Sequence, residues 1–351
     1  MITIFTPSFA DDANTNAQNL TVKEIVSRLP ADRFRVMLVG DGPPDPRVLA
    51  RENTEILQCS PHGNTARWLT RVLLSRVDIY FFPREGPLDR LFLFFRRSLG
   101  LPVALVTYIV MALDEIDVPP TMTRSIREAD CVVGNSRYVT QTVEDRFGVA
   151  TGTIYDGMKR ELFYPPAEVR RPGSKLTVLY AGSLQARKRV NVVIHEAANW
   201  PSVEFRLAGK GEEEAACRSL VSELGCRNVT FVGHLSQPEV AEEMRKADVF
   251  LFPSVLEGHP QVLGQAASCG LPAVAMAKYR PDYVVNGETG YLVESDIELS
   301  QKLGTLLADE DLRLKMSAAA VRHALQFDWD SVTRDWESVF VEAMGKRRKK
   351  H

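Results

Sequence analysis

Residues 247–272, ADVFLFPSVLEGHPQVLGQAASCGLP, set the reading of the whole chain. Val249–Phe252 is an unbroken apolar run of the kind a strand covered on both faces requires. A short loop with a single acid, Glu257, follows. A helix then opens at Pro260, where a residue without an N–H loses nothing in the first turn. Strand, loop and helix in that order make one βα unit of a doubly wound sheet.

The same unit recurs on both sides. Around it lie LTVLYAGS (176–183), VEFRLAGKG (203–211), VTFVGH (229–234), PAVAMA (272–277) and GYLV (290–293) as further strands, with VNVVIHEAAN (190–199) as a helix that aligns Val190, Val193, Ile194 and Ala197. The first half of the chain has its own series: ITIFTPSF (2–9), FRVMLVGDG (34–42), VDIYFFP (77–83), LPVALVTYIV (101–110) and ADCVVGNS (129–136). Its opening helix carries Val22, Ile25, Val26 and Leu29 on one face. AEVRRPGSK (167–175), rich in Pro, Gly and charge, separates the two series. The expected fold is therefore α/β, with two Rossmann-like doubly wound domains. Their bounds are an N-terminal domain over 1–165, a linker over 166–175 and a C-terminal domain over 176–328. An amphipathic helix over 329–345, with Val332, Trp336, Val339 and Ala343 on one face, needs a surface to cover. A basic tail, 346–351, ends the chain.

Composition narrows the function. The chain has 351 residues, enough for two cores, with 43 basic against 45 acidic residues and a formal charge of -2. No global field attracts a polyanion, so nucleic acid is not the expected partner. Five cysteines, an odd number without C-x-x-C spacing, indicate neither a disulfide framework nor a zinc site. Neither a signal peptide nor a membrane span is legible, and the apolar run Leu101–Leu113 is short of the roughly 20 residues a span needs. A cytoplasmic setting is expected.

Ligands of open α/β sheets bind beyond the carboxyl ends of the strands, so the residues leaving each strand of the second domain form one rim. They are GSLQARKR (182–189), GKGEEE (209–214), GHLSQPE (233–239) and SVLEGHPQ (254–261). The rim holds Gly182, Ser183, Arg187 and Lys188, then Gly209 and Gly211, which are expected to let backbone approach a ligand, and the helix start at Pro260. Free N–H groups and the dipole at that start attract an anion, and a phosphate or diphosphate is the natural occupant, with Lys188 adding a point charge. Arg187–Arg189 alone would read as a solvated loop; agreement between two strand ends favours the anion site. Glu257 would be repelled by phosphate and is better suited to accept hydrogen bonds from sugar hydroxyls. Gln265, two turns into the helix, could hold further hydroxyls such as those of a ribose, or be a surface amide.

These residues resemble the retaining nucleotide-sugar glycosyltransferases of family four, whose glycosyltransferase-B architecture implies two domains facing a central cleft and a last helix, 329–345, that crosses back to the first domain. The resemblance covers nearly the whole chain and is densest from about 176 to 293. Its strongest element is the family's E-x7-E motif, seen as EGHPQVLGQ (257–265), in order with ADVFLFPS, CGLP and NGETGYLV. The resemblance implies that Glu257 contacts the donor sugar and that Gln265, standing for an acid, contacts the ribose. It places Ser183 and Lys188 where the family's phosphate-binding Arg and Lys fall. It makes the backbone of Gly258, His259, Pro260, Gln261, Val262 and Leu263 the cradle for sugar and diphosphate, and sets His234, in FVGHLS, near the base. Asn14, Thr15 and Asn16 stand at the family's glycine-rich turn on the cleft side of the first domain, and Asp156 stands where Asn is usual. The implied partners are a nucleotide-sugar donor as co-substrate and a saccharide or lipid-linked acceptor, with no separate cofactor and no metal. Glu257 and Lys188 are the residues implied for catalysis.

Rival readings remain on the residues alone. A nicotinamide-dependent dehydrogenase lacks its glycine fingerprint. A sugar-nucleotide epimerase lacks an evident pair of proton-transfer groups. A non-catalytic sugar-nucleotide-binding or scaffold protein is compatible with Ser183 and Gln265. The acid triplets Asp309–Asp311 and Asp328–Asp330 read as helix starts and solvated acids rather than metal ligands. Peripheral contact with an anionic membrane is a secondary expectation. It rests on Phe92, Phe94 and Phe95 beside Arg90, Arg96 and Arg97, and on the basic tail, against the alternative of a buried helix.

Overall fold

The computed structural model describes residues 1–11, 17–58, 65–83, 86–114, 116–167 and 175–349. By contacts the chain divides into two units, Met1–Asp156 with Asp330–His351, and Gly157–Trp329. Asn14, Thr15 and Asn16 lie outside the described residues.

In the first unit the strands are β1 (Ile2–Phe9), β2 (Phe34–Gly40), β3 (Thr54–Gln58), β4 (Ile79–Phe81), β5 (Ala104–Ile109), β6 (Cys131–Gly134) and β7 (Thr151–Thr153). They alternate with α1 (Ala17–Arg28), α2 (Pro46–Ala50), α3 (Thr65–Leu74), α4 (Pro87–Ser98), α5 (Pro120–Glu128) and α6 (Arg137–Phe147). The sheet runs β3-β2-β1-β4-β5-β6-β7, and every pair is parallel. The second unit repeats the plan with β8 (Thr177–Ala181), β9 (Glu204–Ala208), β10 (Val229–Gly233), β11 (Val249–Phe252), β12 (Ala273–Met276) and β13 (Gly290–Val293). Its helices are α7 (Val190–Asn199), α8 (Glu214–Glu223), α9 (Gln237–Lys246), α10 (Gln261–Ser268), α11 (Asp296–Ala308) and α12 (Glu310–Ala324), before α13 (Trp329–Lys349). Its sheet order, β10-β9-β8-β11-β12-β13, reverses direction between β8 and β11, the switch point where such sheets bind ligands.

The apolar periodicities do their work in the core. Val22, Ile25, Val26 and Leu29 are all buried, as are Val190, Val193, Ile194 and Ala197. Strands β3 and β7, absent from the sequence reading, are sheet edges whose half-exposed residues form no apolar run.

Three expectations are corrected. Helix α13 continues without a break to Lys349, so most of the tail is helix, and the basic residues of its last turn face the negative end of the dipole. Phe340 rather than Val339 completes its buried face: Phe340 and Trp336 lie 5.1 and 5.0 Å from the Phe81 ring, and Trp336 meets Tyr108 edge-on at 5.0 Å. Helix α4 buries Phe92 and Leu93 and exposes Phe94. Its Arg96 leaves the exposed basic set, because it forms a buried pair with Asp130 at 2.6 Å and donates to Val103 O at 2.9 Å.

Polar residues also knit the first unit. Asp156 accepts hydrogen bonds from Thr21 Oγ1 at 3.2 Å, Tyr108 Oη at 3.0 Å and Asn135 Nδ2 at 3.3 Å, tying α1, β5 and the end of β6 together. Asp11 receives the Asp41 and Gly42 amides, and the Lys23 ammonium caps the Asp11 carbonyl at 2.8 Å.

Candidate active site

The carboxyl ends of β8 and β11 bring the rim's charged residues together. Beyond β8 a short 3-10 turn, Ala186–Lys188, aims the Lys188 ammonium at Glu257, while Arg187 Nη1 donates to Glu257 Oε1 at 3.0 Å and to Leu256 O at 2.9 Å. Ser254 Oγ, just past β11, donates to the same carboxylate oxygen. Glu257 is thus held by two cations and a hydroxyl from both sides of the switch point.

Lys188 is buried, with its ammonium 5.0 Å from the centre of the Phe252 ring. Burial lowers its pKa, and the charge of Glu257 opposes that shift. Arg187 remains exposed. The pairing corrects one detail: in this structure the Lys188 charge meets the carboxylate, so an anion would have to draw it away.

The rest of the rim explains the loop shapes. Gly209 sits at φ +147°, and a Cβ there would lie 1.8 Å from Gly182 O; one at Gly211 would lie 2.1 Å from Leu184 O. Backbone packed against backbone, joining the loops after β8 and β9, therefore requires glycine at both positions. The Leu184 amide donates to Lys210 O at 3.0 Å across the same seam. Ser183 is half-buried; its hydroxyl bonds Gln185 Oε1 at 3.2 Å and its carbonyl receives Tyr180 Oη at 2.9 Å. His234 is exposed after β10.

Helix α10 starts at Gln261, with Pro260 as the preceding cap residue, one position later than the sequence suggested. Gly258, Gln261 and Val262 are half-buried, and Leu263 is fully buried. His259 turns its ring inward, stacked on Tyr283 with centroids 3.8 Å apart, and burial lowers its pKa to about 3, so it is neutral at physiological pH and shapes the loop from inside. Gln265 is half-buried on the second turn. A Cβ on the neighbouring Gly264 would stand 2.7 Å from Tyr283 Cε1, so close packing accounts for that glycine.

Sequence reasoning missed Ser254, Tyr180 and Tyr279. Ser254 was findable, because it leaves the strand three positions before the acid it binds. Tyr279 was not: it is buried after β12, and only the fold brings its hydroxyl, pushed well above the ordinary pKa by burial and then by the charge of Glu257, near the rim. Asp309 caps α12 by accepting from Leu312 N at 2.9 Å, and Asp328 pairs with Arg160 at 3.5 Å.

Two parallel doubly wound sheets in the order seen here define a protein of the glycosyltransferase-B fold. Solved structures with that fold include the Anabaena protein Alr3699/HepE in complex with UDP and glucose (TM-score 0.77, 17% identity, 97% of this chain and 100% of that one). Sucrose-phosphate synthase of Thermosynechococcus elongatus is also similar (TM-score 0.78, 20% identity, 98% and 100%). Residues 166–323 match the family glycosyl transferases group 1, so the chain carries a group 1 glycosyl transferase domain. It is also 30% identical over 269 residues to the D-inositol 3-phosphate glycosyltransferase of Acidothermus cellulolyticus, a match over 68% of this chain. The match spans 60% of that relative's length. Among the described residues no helix is long and apolar enough to cross a membrane.

Proposed function

We propose that this chain transfers a sugar from a nucleotide diphosphate sugar to a hydroxyl of a saccharide or lipid-linked acceptor, with retention of anomeric configuration. The observation that carries this reading is the Lys188–Glu257–Arg187 cluster at the switch point of a group 1 domain. A diphosphate entering beside it offers Lys188 and Arg187 a stronger partner, and the amides at the start of α10 add to the attraction. Glu257, relieved of its cations, is then free to accept from sugar hydroxyls. The acceptor oxygen bonds to the anomeric carbon on the face from which the diphosphate leaves. The bond from that carbon to the phosphate oxygen breaks, and the acceptor proton passes to the departing phosphate. Lys188 and the helix amides meet the charge that grows on that leaving group, which is where fixed charge lowers a barrier most. No metal is assigned a role.

Two features support the partners. The relative is named for D-inositol 3-phosphate, a polyol that offers hydroxyls, and HepE was solved with UDP and glucose. Peripheral contact with an anionic membrane is the setting this reading prefers for a lipid-linked acceptor. Exposed Phe94 and Leu91 on α4 lie on the same element as Arg90 and Arg97.

Calorimetry with uridine, guanosine and adenosine diphosphates, followed by labelled-donor turnover with mixed acceptors, tests the proposal. One nucleotide is expected to bind and its sugar to be transferred. Binding without transfer or donor hydrolysis would favour a sugar-nucleotide-binding scaffold, and no binding by any of the three would overturn the site.

A further inference from the structure

A cavity of about 440 Å³ lies in the first unit, at the end of the sheet opposite the strand carboxyl ends. Its walls come from the end of α3, from Val77 and Asp78 entering β4, from Leu101–Ala104 entering β5, and from Met344, Arg347 and Arg348 on α13. Its size is that of a small-ligand pocket, typically about 300–1,000 Å³. Nothing in the sugar-transfer reading uses it.

The lining divides into two kinds of surface. Val72, Leu73, Val77, Leu101, Pro102 and Met344 make an apolar wall, while Arg76, Arg347 and Arg348 bring three guanidiniums against the one carboxylate of Asp78. That carboxylate already accepts from Thr3 N at 2.8 Å. Arg347 spends Nη2 on Leu101 O, yet its Nε is buried with no hydrogen-bond partner among the described residues. Leaving such a donor unmet is unfavourable, the more so when the group is charged. Arg76 stands at φ +48°, a left-handed conformation that a residue with a long side chain rarely adopts without a reason from its surroundings.

We infer that this cavity binds a phosphate-headed lipid. The head meets Arg347, with Arg76 and Arg348 at the mouth, and the start of the hydrocarbon chain lies against the apolar wall. A phosphate monoester carries roughly -1.5 to -2 at pH 7, which answers the surplus of guanidiniums, and the planar fork of arginine suits its oxygens. A bare inorganic anion would leave the apolar wall unused. A neutral lipid would leave the three lining guanidiniums with no anion beyond Asp78.

The test uses the full chain and dihexanoyl phosphatidic acid below its aggregation threshold, with dihexanoyl phosphatidylcholine and inorganic phosphate as controls, read by calorimetry. Phosphatidic acid is expected to bind once per chain, at least tenfold more tightly than either control. Arg347→Ala and, on the opposite wall, Leu73→Asp should each weaken it by tenfold or more. Leu73 is partly exposed, so this second variant keeps the test valid if Arg347→Ala folds poorly. Vesicles with and without phosphatidic acid separate a bilayer lipid from a free one: parallel loss of vesicle and monomer binding in the variants supports the pocket. Vesicle binding without monomer binding would assign the effect to the surface of α4 and overturn the inference. So would phosphate binding as tightly as the lipid, or variants binding like the parent. Nucleoside diphosphate binding, measured on the same samples, reports separately on the sugar-transfer site.

Discussion

Asp156 and Glu257 are both carboxylates beyond strand ends of sheets with the same core strand order, yet their partners differ in kind. Asp156 gathers neutral donors, Thr21, Tyr108 and Asn135, each from a different element of the first unit. Glu257 gathers Lys188 and Arg187, which reach it from a single turn, and a hydroxyl three residues away. Neutral donors, which a charged guest would not draw away, make a carboxylate architectural. Cations that could move to a more highly charged guest make it exchangeable. On the proposed function, the same chemical group acts as a rivet in one unit and as a placeholder in the other.

Lys188→Ala gives the sharpest contrast. Labelled-donor turnover should fall about 100- to 1,000-fold, or about 3–4 kcal/mol of barrier, while thermal unfolding keeps its cooperativity. Turnover near the parent value would make the Lys188 pairing as architectural as that of Asp156. The converse change, Asp156→Ala, should cost about 3 kcal/mol in chemical denaturation, because it strands several buried donors at once. A loss well under about 1 kcal/mol would erase the distinction from the other side.

The third expectation concerns pH. The folded His259, at about 3, stays neutral where the unfolded ring, near 6.5, takes a proton. The unfolded state therefore binds more protons in that window, so stability is full above about pH 6.5 and falls as pH drops toward 3. Between pH 7 and 5 the parent should lose about 2 kcal/mol through this group. Denaturation of His259→Phe, which keeps an aromatic ring against Tyr283, should be flatter by that amount; equal slopes would place the ring in contact with water. Smallest is Gln265→Glu, which restores an acceptor-only side chain and should tighten nucleoside diphosphate binding by up to about fivefold, or about 1 kcal/mol. Unchanged affinity would remove Gln265 from the ribose.

Much of the fold was legible because strands covered on both faces are dominated by apolar residues, as β2, β4, β5, β8 and β11 are. The edge strands β3 and β7 were not, since an edge needs apolar residues on neither face. Glu257 and Lys188 could be chosen from their places after strands, but what they hold could not. The backbone clash that demands glycine at 209 and 211 was not legible, because the atom that a Cβ would strike belongs to a loop 27 residues earlier in the chain.

The sequence by itself determined the two doubly wound sheets, the helix faces and the order of rim loops, because hydrophobic period and turn chemistry act between near neighbours. Only the tertiary structure decided that Lys188 is paired with Glu257, that Arg96 is buried on Asp130 while Arg347 looks into a cavity, and that Tyr279 lies near the rim. Those outcomes depend on which distant side chains share a low-dielectric space, and a linear pattern carries no record of that distance.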